Sequence, residues 1–372
     1  MRRPTSPLWL TRPSRFAGLS IRNARIALAL LAALLLATLL ALGTPGPPPV
    51  SHDPANRADD QTDVVLYESI VDNVRHGGSY YPVTAEALRS GNYPLRPFIT
   101  FRLPTLAMVQ AALPSWGIAA LLYALAAATA LAWYGRLAPA FIRAPPRIVA
   151  MALLAGGMMA FVQPDLAYFH EIWAGLFIAL SLAIRRPASW LPSVCFGLAA
   201  VLIRETAAPY LLLMGFFAML EGNRREAAAW AVTLAILGVA LAAHAHAVAQ
   251  VIRPLDPASP GWAGLLGFGF FVRTMAISTA LGIAPLALAA PLVGLALFGW
   301  AAWRDELGLR MLALLSGYAA ILGVFGRVDT FYWGLLVAPV SLVGLAFVPD
   351  ALRDVFAAAL DTRRITVRRI TP

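Results

Sequence analysis

The sequence predicts an all-α polytopic membrane protein of about ten transmembrane helices. Three observations lead there. First, 60% of the 372 residues are hydrophobic and only 13% are charged, roughly half the ~25% charge of a soluble domain. Second, apolar runs of roughly 16–28 residues recur along the chain, close to the ~20 residues that one crossing needs. Third, every basic residue is Arg, and twenty of the 29 fall in breaks that alternate span parity places on one side, as the positive-inside rule requires of the cytoplasmic face. The net charge of +10 comes with no nucleic-acid-binding motif, so nucleic acid is excluded as a partner.

The spans are expected near 25–43, 115–134, 148–163, 168–184, 188–203, 206–220, 227–248, 275–302, 309–325 and 331–348, with both termini cytoplasmic. The first has the Arg-rich flank of a secretory signal, but its run ALALLAALLLATLLALG exceeds the usual ~7–15-residue apolar stretch of such signals, so an uncleaved anchor is expected. The chain divides into a basic N-terminus over 1–24, a membrane domain over 25–348 with an outer loop at 44–102, and a basic tail over 349–372 suited to anionic lipid. The single Cys195 has no disulfide partner and is expected to pack inside an apolar run.

The outer loop holds seven of the nineteen acidic residues: Asp53, Asp59, Asp60, Asp63, Glu68, Asp72 and Glu86. It leaves the membrane through GTPGPPPV, a stiff Pro-rich exit. Residues 63–75 form an amphipathic helix with Val64, Ile70, Val71 and Val74 apolar and Tyr67 one turn after Asp63. Gly77 and Gly78 end it. A second short helix is expected from Thr84 as cap, with Tyr80, Tyr81 and Tyr93 as interfacial anchors. The same parity gathers Arg102, Asp165, His170, Glu171, Arg204, Glu205, Arg253, Asp256, Arg273, Arg327 and Asp329 at outer span ends. Charge at membrane depth is costly and usually functional, so these residues point to a polar cavity open on the outer face.

This pattern of an anchor, an Asp-bearing loop with interfacial helices and many spans with polar outer ends resembles the GT-C superfamily. Its members are integral-membrane glycosyltransferases that use lipid-phosphate sugars. The chain is most similar to bacterial glycosyltransferase family 87, through DVVLYESIVDNVRHGGSYY, YPLRPFITFRLPT, HEIWAGLFIALSL, LIRETAAPYLL and GRVDTFYWGLLVAPV, and the resemblance covers roughly residues 25–350. It implies a polyprenyl-phosphate sugar as donor, an envelope glycan, lipid or protein as acceptor, and a bacterial inner-membrane enzyme with its active site on the periplasmic face. It also implies that a first-loop Asp serves as base, or orients a metal or the acceptor.

A carboxylate is wanted because the acceptor hydroxyl must lose its proton as it attacks the anomeric carbon. Asp63, at the helix start, leads for that role, with Asp60 and then Asp59 as rivals; the competing reading of Asp63 is a helix cap. A leaving phosphate calls for Arg, whose planar fork matches its oxygens. Arg204 and Arg327 lead, followed by Arg102 and Arg273, with interfacial snorkelling or local ion pairing as the bland alternative. Glu205, Asp329, Tyr67, His170 and Glu171 complete the expected substrate-binding set. Adjacent Arg204 and Glu205 are not expected to pair with each other on a helix. No cofactor is required by any motif. A divalent cation held by His170 and Glu171 with Asp165 nearby is a further candidate, although HEIWA is not the HExxH zinc pattern. His244 and His246, two apart, point to different helix faces and make a poor metal pair. The Gly- and aromatic-rich GWAGLLGFGFFVR lacks a nucleotide-loop order and suits an interfacial or re-entrant segment beside a lipid carrier. Two other function classes compete with the enzyme: a multi-span transporter or lipid-carrier flippase, and a non-catalytic subunit of a polysaccharide assembly.

Overall fold

The computed structural model describes residues 7–46 and 62–361. Among them the fold is all-helical, with isolated bridges in place of strands. Asp53, Asp59 and Asp60 lie outside the described residues.

Among the described residues four helices are long and apolar enough to cross a membrane: Ile21–Leu42, Ser115–Ala140, Arg224–Ala249 and Glu306–Phe325. A fifth is reached if the pair Val328–Leu336 and Ala338–Ala359, bent by 62°, counts as one. In chain order, α1 is Ile21–Thr38, capped by the Ser20 side chain at the Asn23 N–H. Next come α2 Thr62–Arg75, α3 Tyr80–Ser90, α4 Thr105–Ala111 and α5 Ser115–Leu137. Then follow α6 Ala144–Gly157, α7 His170–Ile184, α8 Leu191–Ile203, α9 Ala208–Leu220 and α10 Arg224–Ala249. The chain continues with α11 Gly267–Ile277, α12 Leu286–Ala302 and α13 Glu306–Phe325. A 3₁₀ segment Val328–Leu336 leads through α14 Ala338–Ser341 to α15 Val348–Ala359.

The expected single span over 275–302 is two helices, α11 and α12, with a break between them. Thr279 and Pro285 cap the two pieces that follow Ile277, and Pro285 cannot continue a helix that lacks its N–H. The expected last span over 331–348 is broken in the same manner at Val337, before Pro339. Six apolar helices, Ala144–Gly157, His170–Ile184, Leu191–Ile203, Glu205–Leu220, Gly267–Ile277 and Leu286–Ala302, fall short of ~20 residues.

Helix α7 runs through the centre and is buried nearly all round, packed on α5, α8 and the 328–336 segment. A helix apolar on every face must sit inside the bundle. Small residues let backbones meet: a Cβ on Gly299 would overlap the Gly344 carbonyl, so α12 and the 342–347 stretch pack main chain to main chain. Cys195 is exposed, contrary to expectation. Val194, Gly197 and Val201 occupy the inward face of α8, and 100° per residue turns Cys195 away from it.

At one end of the bundle the N-terminal segment is strapped to α15. The amides of Leu8, Trp9 and Leu10 donate to the Asp350 carboxylate at 2.7, 2.8 and 3.0 Å, and Ser14 N–H donates to Asp354 at 2.8 Å. At the other end, α2 and α3 form a small lid with its own apolar core of Leu66, Ile70, Val71, Tyr80, Leu88, Leu95 and Phe101. Helix α2 ends as expected where Gly77 takes φ +95°. Helix α3 starts at Tyr80, earlier than expected, and Thr84 is a buried residue of its first turns, not a cap.

Three clamps fix the lid. Arg89 forks onto Asp256 at 2.9 and 2.8 Å and donates to the Val251 carbonyl at 2.7 Å. Arg75 donates to the carbonyls of Gln110 and Leu113 at the end of α4. The Leu95 amide donates to the Pro257 carbonyl at 2.9 Å. The Arg89 pair holds the Asp256 carboxyl down at about 2, below the ordinary carboxylate range.

Candidate functional site

Beneath the lid lies a cavity of about 330 Å³ lined by residues from the lid and from two loops across from it. Helix α2 supplies Asp63 and Tyr67, and the stretch after α3 supplies Tyr93 and Arg102. The GWAGLL loop supplies Trp262, and the start of the 328–336 segment supplies Arg327, Asp329 and Tyr332. Close backbone approach builds the far wall. A Cβ on Gly264 would overlap the Gly326 carbonyl, and Arg327 donates to the Gly261 carbonyl at 3.1 Å. The Gly-rich loop therefore lies directly on the GRVD turn.

Five of the expected site residues meet here: Asp63, Tyr67, Arg102, Arg327 and Asp329. Asp63 is half-buried and lies in the first turn of α2. It accepts a 2.7 Å hydrogen bond from the Tyr93 hydroxyl. Burial first, and then the Asp63 charge, push the Tyr93 phenol well above its ordinary value, so it stays protonated and donating. Tyr80 likewise turns inward and donates to the Arg102 carbonyl at 2.8 Å, with burial raising its phenol. The expectation that Tyr80 and Tyr93 anchor the lid in an interface is therefore corrected: both hydroxyls find partners inside, which is how buried Tyr is normally satisfied.

The arginines divide by what already holds them. Arg204 is 2% exposed and Glu171 is fully buried; the two form an ion pair, and Arg204 also pairs with Glu205. Two expectations fail at this point. Arg204 is committed to two carboxylates and does not line the cavity. It also pairs with its sequence neighbour, because Arg204 is not helical: α8 stops at Ile203, and Arg204 has φ −142° and ψ 108°, which swings the two side chains together. Arg327 is paired with Asp329 at 2.5 Å. Arg273 donates to the Thr44 carbonyl at 2.7 Å and lies outside this cavity. Arg102 differs from all of these. Its guanidinium sits 5.8 Å over the Tyr67 ring, reaches the Tyr332 hydroxyl at 3.5 Å, and leaves a buried Nε with no partner. No carboxylate among the described residues lies within ion-pair distance of it; Glu171 and Glu205 act on it only through space.

His170 is buried against the Tyr67 ring with centroids 5.0 Å apart, and neither ring nitrogen has a partner among the described residues. The divalent-cation expectation lacks a donor set: Glu171 is held by Arg204, Asp165 is exposed, and no group of three His, Cys, Asp or Glu residues among the described residues is placed to hold a metal. His244 and His246 diverge as expected, and His244 contacts the Tyr81 hydroxyl at 3.2 Å.

Sequence reasoning missed Tyr93, Thr84, Trp262 and Tyr332 as wall residues. A signal for Tyr332 existed in the GRVDTFYW run, where an aromatic pair follows a charge pair at the end of an apolar run. A second cavity of about 450 Å³ adjoins the first, sharing Asp63, Asp329 and Tyr332 with it. No family model, curated protein or solved structure matches the chain.

Proposed function

We propose that the protein is an integral-membrane glycosyltransferase of the GT-C type, with ten spans that include the short and broken helices. It sits in a bacterial inner membrane with both termini cytoplasmic and the lid on the periplasmic face. It moves a sugar from a polyprenyl-phosphate donor to a glycan, lipid or protein acceptor. One observation carries this reading: of the two carboxylates on the shared wall of the two cavities, Asp329 is paired with Arg327 and Asp63 makes no ion pair among the described residues, while one cavity holds half-buried Arg102, which has no acidic partner among them.

In the reaction the acceptor oxygen attacks the anomeric carbon of the donor sugar. The bond from that carbon to the phosphate oxygen breaks, and its electron pair leaves with the phosphate. The acceptor proton passes to the Asp63 carboxylate and then to solvent, so the products are the glycosylated acceptor and the polyprenyl phosphate. Asp63 serves as base, a role worth about 10²–10⁴-fold in rate. Arg102 meets the phosphate as it gains charge, a charge-assisted contact stronger than a neutral one. Arg327, tethered by Asp329, closes the same cavity. Arg204 and Glu171 are given a different role from the one first expected: they form the buried charged floor beside Arg102 and do not touch substrate.

The test is transfer of label from a radiolabelled polyprenyl-phosphate sugar to an envelope lipid fraction by purified protein in vesicles. Asp63→Asn is expected to lose about 10²-fold or more. Full activity in that variant overturns the assignment, and uptake of label without any transferred product points to transport instead.

A further inference from the structure

We infer that the second cavity is the acceptor subsite and that it takes an uncharged or cationic hydroxyl-bearing acceptor while rejecting anionic ones. This inference rests on the glycosyl-transfer reading of Asp63.

At about 450 Å³ the cavity falls in the size range of small-molecule sites. Among the described residues its wall carries three carboxylates, Asp63, Asp165 and Asp329, and no Arg, Lys or His. Asp329 is neutralised by Arg327, but Asp63 and Asp165 make no ion pair among the described residues. The first cavity differs, because Arg102 and Arg327 line it and offset Asp63 and Asp329. Charge therefore separates two ligand classes on either side of Asp63: an anion beside the arginines, and a group without negative charge beside Asp165.

A second observation points to a ligand independently of the acids. Ser278 is 5% exposed and lines the cavity, yet its hydroxyl has no hydrogen-bond partner among the described residues. It sits just past the end of α11, where a neutral hydroxyl-bearing molecule is able to supply that partner. In the same lining, Phe169 and Tyr332 meet edge to face with centroids 5.3 Å apart, and Phe331 lies 5.9 Å from Tyr332. Aromatic faces of this kind suit the apolar face of a pyranose ring, whose hydroxyls remain free for Asp63 and Ser278. A sugar hydroxyl seated there faces the carboxylate that must take its proton.

The experiment is saturation-transfer NMR on the full chain in lipid nanodiscs, with methyl β-D-glucopyranoside and methyl β-D-glucuronide as probes. Wild type is expected to favour the neutral glycoside by about tenfold, the effect of facing unpaired carboxylates at short range. Asp165→Lys is expected to shrink that preference by about tenfold, and Ala160→Trp, which fills the cavity wall, to abolish the glucoside signal. Equal or stronger binding of the glucuronide, no signal from either glycoside, or a glucoside signal indifferent to both variants would overturn the inference. Transfer of labelled sugar from the lipid donor to an added envelope lipid fraction tests the reaction separately. Glycoside binding without such transfer removes the transfer reading, whereas transfer with a preference for the glucuronide removes the subsite alone.

Discussion

Removing one partner from the buried pair beneath the lid is expected to cost stability far beyond a surface ion pair. Arg204 is 2% exposed and Glu171 fully buried, so a lone survivor stays desolvated and uncompensated, at a cost of about 3–5 kcal/mol. The two single changes differ within that range. After Glu171→Gln, Arg204 keeps Glu205, whose side chain is 16% exposed, and the cost falls near ~3 kcal/mol. Arg204→Met strands both glutamates and falls near ~5 kcal/mol. The joint change Glu171→Leu with Arg204→Met removes the buried charges together and is expected to recover most of the loss. Tryptophan fluorescence on heating reads these differences in lipid nanodiscs, since ten Trp residues report. For chains of about 150–250 residues each kcal/mol moves the midpoint by roughly 2–4 °C. In 372 residues the lower end applies, giving shifts of about 6–10 °C. Single variants within about 0.5 kcal/mol of wild type, the range of neutral surface changes, would refute the reasoning by showing that water reaches the pair.

Other expected outcomes bear on the site and its supports. Arg102→Gln should lower kcat/KM for transfer by about 10²-fold, and Arg102→Lys should restore only part of it, because an ammonium lacks the planar fork. Tyr93→Phe should lower kcat about tenfold by taking the donor from Asp63; the lid should stay in place, as checked by protection of the Leu95 amide from exchange. The Arg89–Asp256 clamp should respond to acid with a defined sign. The folded Asp256 carboxyl is held at about 2, below the ~3.9 of an unfolded Asp. Its contribution is therefore complete above pH ~4 and is lost as pH falls toward ~2, with faster exchange at Leu95 and Arg96 as the readout. Asp350→Ala should release the N-terminal strap and open Arg12 and Arg15 to trypsin.

The parts of this structure legible in sequence were those set by local pattern. The amphipathic spacing of Val64, Ile70, Val71 and Val74 gave α2, and Gly77 gave its end. The charged breaks between apolar runs were enough to point to Asp63, Arg102, Arg327 and Asp329, which line one cavity. What escaped depended on breaks in helices and on tertiary partners. Arg204 and Glu205 pair because α8 stops between Ile203 and Arg204, and a 3.6-residue period assumes that it continues. The run over 275–302 is apolar on both sides of its break, so hydropathy alone does not reveal where Pro285 restarts the chain. Tyr93 and Tyr80 carry the same amphipathic side chain whether it faces a membrane interface or an acceptor inside the fold, the Asp63 carboxylate for Tyr93 and the Arg102 carbonyl for Tyr80. Only the folded lid, held by Arg89 and Arg75, decides between those two surroundings. Likewise, nothing in the order of the arginines distinguishes Arg102 from Arg204. The distinction is which of them has acidic neighbours in space.

The most direct test is to locate a bound donor by cryo-electron microscopy, using the full chain in nanodiscs with a polyprenyl-phosphate sugar and the Asp63→Asn variant to prevent turnover. The expected density places the phosphate beside Arg102 in the lid cavity, with the anomeric carbon turned toward residue 63 and the second cavity. Phosphate seated anywhere else, or a sugar facing away from residue 63, would contradict the assignment of base and phosphate site together.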